Sequence, residues 1–105
     1  MTKPDDQLEE IVRRIVEAAH PLRIILFGSS ARGDAGPESD VDVLVVMPDG
    51  TNRLHTSQDV YEGLHGLRVA VDVVVATEID LVKYKNSPGL VYREALRDGR
   101  TLYAA

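Results

Sequence analysis

Gly28-Ser29-Ser30-Ala31-Arg32-Gly33, followed by Ser39-Asp40-Val41-Asp42-Val43-Leu44-Val45, is the stretch on which the fold turns. The apolar run Leu22–Phe27 before it reads as a buried strand closed by Gly28. Val41–Met47, apolar apart from Asp42, reads as a second strand that Pro48-Asp49-Gly50 ends. Between the two, Ser29–Asp34 suits a short helix capped by Ser29 or Ser30, and Gly33–Glu38 a loop.

The rest of the chain alternates around this pair. Leu8, Ile11, Val12, Ile15, Val16 and Ala19 recur at helical spacing, with Glu9, Glu10, Arg13, Arg14 and Glu17 opposite. Asp5 or Asp6 suits the N-cap of that helix, and Pro21 ends it near His20. A second helix is expected from Thr56 to Leu67, weakened by Gly63 and Gly66. Arg68–Ala76 reads as a third strand interrupted only by Asp72. Thr77 with Asp80 resembles a capping box before a short helix to Lys83 or Tyr84. Ser87-Pro88 opens a last helix, Pro88–Asp98, that stops at Gly99. Thr101–Tyr103 is a brief last strand or an extended tail. Helices interleaved with at least three strands give an α/β or α+β class, as one domain over residues 1–105.

Composition narrows the functions. The chain of 105 residues is 44% hydrophobic and 28% charged, an ordinary globular balance. No apolar stretch approaches the roughly 20 residues of a membrane span. The start, Met1-Thr2-Lys3-Pro4-Asp5-Asp6, lacks a signal-like apolar run, so a cytoplasmic location is expected. Cysteine is absent, which removes disulfides, thiolate zinc sites and cysteine nucleophiles. A net charge of −5 argues against broad nucleic-acid binding, and simple solubility is the better explanation of it.

The chemistry lies in the carboxylates and the turn. Asp40 and Asp42 are two residues apart, so on a strand both point to one face, with Cβ atoms about 6–7 Å apart. Asp72, a charge within an apolar strand, joins them if the second and third strands are neighbours. Such a charge is costly unless paired or metal-bound. Oxygen ligands without His or Cys suit Mg²⁺ or Mn²⁺. Two such ions about 3.5–4 Å apart serve phosphoryl displacement. Other readings stand beside these: Asp40 as a turn or cap after Ser39, and Asp42 and Asp72 in salt bridges with arginine. Gly28 permits close approach of a phosphate, and Ser29 with the helix start beyond it offers hydroxyl and N–H donors. Arg32 can contact a triphosphate or pair with Asp34. His20, His55 and His65 have no ligand-like spacing, and no Gly-Lys-Ser/Thr of a P-loop follows the turn.

With these residues in place, the chain resembles the DNA polymerase β-like nucleotidyltransferase superfamily. The Ala31-Arg32-Gly33 form of the loop is most similar to the minimal nucleotidyltransferases of bacteria and archaea. The resemblance implies a small mixed β-sheet with helices packed mainly on one side. It implies two Mg²⁺ ions, with Asp40 and Asp42 holding both and Asp72 the catalytic one. Asp72 would help deprotonate or orient the attacking hydroxyl. Gly28 and Ser29 would hold the β- and γ-phosphates of ATP, with Arg32 and Ser39 as further nucleotide contacts. It also implies a partner: minimal members pair with all-helical HEPN toxins, and the antitoxin transfers AMP from ATP to a tyrosine of the toxin. Two alternatives remain open, an antitoxin that acts by binding alone and transfer to a small molecule.

Overall fold

The computed structural model describes residues 4–28, 41–85 and 91–105. Its elements in chain order are α1 (Pro4–Ala19), β1 (Arg23–Phe27), β2 (Val41–Met47), α2 (Arg53–Gly63), β3 (Val71–Thr77), α3 (Glu78–Tyr84), α4 (Val91–Asp98) and β4 (Arg100–Ala104). The strands form one mixed sheet in the order β3-β2-β1-β4. β1 is antiparallel to both β2 and β4, whereas β2 and β3 run parallel.

The two central strands are buried on both faces, which is why they read as unbroken apolar runs. One face, with Ile24, Leu26, Val43, Val45 and Val75, packs against Ile11 and Ile15 of α1 and Val60 of α2. The other face, with Ile25, Phe27, Leu44, Val46 and Ala76, packs against Leu81 of α3 and Ala95 of α4. The two longer helices thus cover one side of the sheet and the two short ones part of the other.

α1 ends as Pro21 requires. His20 takes a left-handed φ of 49° and its N–H donates to the Val16 carbonyl at 2.9 Å. Asp5 and Asp6 lie within the helical span Pro4–Ala19, not at an N-cap position before it. Arg14 crosses from α1 to the end of α2, donating to the carbonyls of Gly63 at 3.3 Å and His65 at 2.9 Å. Those carbonyls have no partner within a finished helix, so the guanidinium closes the C-terminus of α2.

The Thr77–Asp80 capping box forms as expected: Asp80 N–H donates to Thr77 Oγ1 at 3.3 Å, and Thr77 N–H to Asp80 Oδ2 at 3.0 Å. α2 starts three residues earlier than Thr56, because Asn52 is its N-cap and accepts from the His55 N–H at 3.0 Å. It ends at Gly63, with a turn through Gly66 at φ 91° in place of a continuation to Leu67. That turn also delays β3, which begins at Val71 rather than Arg68. The C-terminal segment is a true strand, β4, paired with β1. A side chain at Gly99 would run into the Ala95 carbonyl and Ile25, so glycine lets α4 pass directly into β4. The expected helix at Ser29–Asp34 and the Ser87-Pro88 helix start lie outside the described residues.

Candidate functional site

Parallel pairing of β2 with β3 places Asp42 directly beside Asp72, each the second residue of its strand. Register partners on neighbouring strands are about 4.8 Å apart and project to the same side. Here that side is the one carrying Leu44 and Val46 on β2 and Ala76 on β3. The carboxylates therefore sit at one end of the sheet, at the starts of two parallel strands.

The end of β1 closes on the same point. Phe27, its last residue, is the register partner of Asp42. Gly28 follows with φ 75°, and a Cβ placed on it would fall 2.5 Å from Asp42 Oδ2 and 3.3 Å from its Cγ. The bare backbone of Gly28 thus lies against the Asp42 carboxylate. Three strand ends converge on this pair of acids.

Strand-end placement corrects one expectation. Asp72 is exposed and Asp42 half-buried, so the cost of burying a charge does not explain Asp72. Its second position in β3 puts it at the sheet margin rather than mid-strand. What distinguishes it is its register with Asp42.

The donor set fits a hard divalent cation. Two carboxylates side by side, with no histidine or cysteine among their register partners, are oxygen ligands of the Mg²⁺ or Mn²⁺ kind. Among the described residues no group of three His, Asp or Glu comes together to hold a metal ion. Asp42 and Asp72 form a pair, and the expected third ligand, Asp40, lies outside the described residues. Ser29, Arg32 and Ser39 lie outside them as well.

The sequence reading missed one support of the site. Tyr61 of α2 accepts a hydrogen bond from the Val73 N–H at 2.9 Å, holding the outer edge of β3 next to Asp72. Nothing in the spacing marks Tyr61, because the contact depends on how α2 lies along β3. His20, His55 and His65 are all exposed. No helix among the described residues is long and apolar enough to cross a membrane.

Comparison with known proteins agrees with this fold. Solved structures with the same fold include a candidate nucleotidyltransferase from Sulfolobus solfataricus, 25% identical, with a TM-score of 0.63, covering 93% of this chain and 78% of that one. A toxin–antitoxin complex with AMP-PNP is 21% identical, with a TM-score of 0.59, covering 93% of this chain and 73% of that one. A double aspartate-to-glutamate mutant of the toxin–antitoxin MntA–HpeT is 18% identical, with a TM-score of 0.57 and the same coverage, 93% and 73%. No curated protein matches the sequence significantly. The family model described as "Nucleotidyltransferase domain" matches residues 5–102, nearly the whole length. On that match the chain belongs to the nucleotidyltransferase domain family.

Proposed function

We propose that this nucleotidyltransferase is the antitoxin of a toxin–antitoxin pair and transfers AMP from ATP to a tyrosine of a HEPN-type toxin. The observation that carries the chemistry is the register of Asp42 with Asp72 on parallel strands. Structural neighbours solved as toxin–antitoxin assemblies, one of them with AMP-PNP, support the partner and the nucleotide.

In this reading the acceptor hydroxyl attacks the α-phosphorus of ATP, a new O–P bond forms, and pyrophosphate departs with the α–β bridging oxygen. Asp72, exposed at the sheet margin, takes or orients the hydroxyl proton. Asp42, Asp72 and Asp40 are the residues that would hold Mg²⁺. Mg²⁺ bound there supplies positive charge for the attacking and leaving oxygens. Gly28 and Ser29, with Arg32 and Ser39, receive the phosphates of the nucleotide. The acceptor tyrosine comes from the partner.

Co-expression with a HEPN-type helical protein tests this reading. Intact-mass and peptide mass spectrometry should find AMP on a partner tyrosine, and none when the antitoxin carries Asp42→Asn. A partner that is neutralised yet unmodified would replace the transferase reading with neutralisation by binding alone.

A further inference from the structure

We infer that Gly28 is a positioning residue for the Asp42 carboxylate, a task separate from any contact it makes with phosphate. The inference goes beyond the proposed transfer reaction but rests on it for the meaning of Asp42. Two independent features of Gly28 single it out. Its φ of 75° lies in the left-handed region, and the space a Cβ would occupy is taken by Asp42, with Oδ2 at 2.5 Å and Cγ at 3.3 Å.

The other left-handed glycines among the described residues separate these features. Gly50 (φ 88°) and Gly66 (φ 91°) have nothing within 4 Å of where a Cβ would stand. Glycine at those two turns answers a backbone requirement alone. At Gly28 the missing side chain also leaves a berth for a carboxylate.

The obstructing atom is the end of a side chain, not backbone. A Cβ at position 28 is therefore accommodated when Asp42 swings away from it. The strand pairing Phe27↔Asp42 and Asp42↔Asp72 can persist through that movement, because it is made by the backbone. The carboxylate would leave its place beside Asp72 while the sheet stays intact. This coupling also accounts for a glycine directly after β1: the strand delivers Phe27 opposite Asp42, and the next residue must approach that side chain without one of its own.

The test compares Gly28→Ala and Gly28→Asn with Gly50→Ala and Gly66→Ala as controls for the backbone term. Asparagine tolerates a left-handed φ better than alanine yet still carries a Cβ, so it keeps the obstruction while easing the strain. Two readouts are taken on the full chain. The Asp42 χ1 rotamer is measured from NMR couplings in metal-free protein, and Mn²⁺ binding is measured by paramagnetic titration. Both Gly28 variants should change the Asp42 rotamer and weaken Mn²⁺ binding about 10–100-fold, the usual effect of disturbing a ligand's support. The Gly50 and Gly66 variants should leave both readouts as in the unsubstituted chain. An unchanged Asp42 rotamer in folded Gly28→Asn would overturn the inference, whatever the metal does. A changed rotamer with no Mn²⁺ binding even in the unsubstituted chain would uphold the positioning role and overturn the metal reading instead.

Discussion

Asp42 and Asp72 stand in register across the parallel strands β2 and β3, each one residue inside its strand. Parallel pairing is what brings them together. A shift of one residue in either strand would send one carboxylate to the opposite face of the sheet. The connection between the strands, α2 with its Asn52 cap and its Arg14-closed end, therefore fixes the separation of two acids that are thirty positions apart in sequence, 72 − 42 = 30.

Metal removal should be visible without any partner. A cation bound only by the folded chain at a hundred times its dissociation constant adds about 2.7 kcal/mol of stability. Mg²⁺ or Mn²⁺ should therefore raise the melting temperature of the unsubstituted chain, and chelation should reverse the rise. The same additions should leave Asp42→Asn unmoved, as read by differential scanning calorimetry.

Asp80 links stability to acid. Its carboxyl is held below the ordinary 3.8, first by the hydrogen bond from the Thr77 backbone N–H, with the Thr77 side chain and Arg53 adding to the effect against partial burial. A depressed folded-state pKa contributes stability that is complete above the unfolded value and is lost as pH falls through the folded one. Asp80→Asn should then lower stability near neutral pH by about 0.5–1.5 kcal/mol, because it removes the charge on the acceptor of the Thr77 N–H. That difference should shrink as the pH drops below 3.8. Urea titrations over a pH series measure it.

Tyr61→Phe removes the acceptor of the Val73 N–H on the outer edge of β3. The site is exposed, so the global loss should stay near the lower end of about 0.5–1.5 kcal/mol. Hydrogen exchange at the Val73 amide should quicken, because edge opening no longer breaks that bond. Exchange at the central β1 amides should hardly change.

Ile15 is fully buried between α1 and the sheet. Ile15→Ala should cost about 2–5 kcal/mol, a large share of the roughly 5–15 kcal/mol that holds a small domain together. Chemical denaturation should show a lower midpoint at an unchanged slope.

Much of this was legible in the chain, and the exceptions have a common cause. The period of Leu8 to Ala19, the apolar runs of β1 and β2, and the Thr77–Asp80 box are local patterns, and each formed where its residues placed it. Asp42 and Asp72 could be singled out one at a time as charges in apolar runs. Their partnership needed strand order, which no local pattern carries. The same limit hid Tyr61, Arg14 on the carbonyls of Gly63 and His65, and the berth that Gly28 leaves for Asp42. Burial misled for a related reason: Asp72 sits in an apolar sequence but at the rim of the sheet, where water reaches it.

That exposure makes Asp72 the cleanest probe of the proposed transfer, since Asp72→Asn removes charge without disturbing a buried contact. The direct measurement is transfer of label from ATP carrying a radioactive α-phosphate to a purified HEPN-type protein, the acceptor of the proposed function, with metal-free melting temperatures recorded for both forms of the chain. The unsubstituted chain should label that protein, and Asp72→Asn should lose at least about a hundredfold in rate, the scale of a lost acid–base group, at an unchanged melting temperature in metal-free buffer. Equal labelling by the two forms would contradict the account.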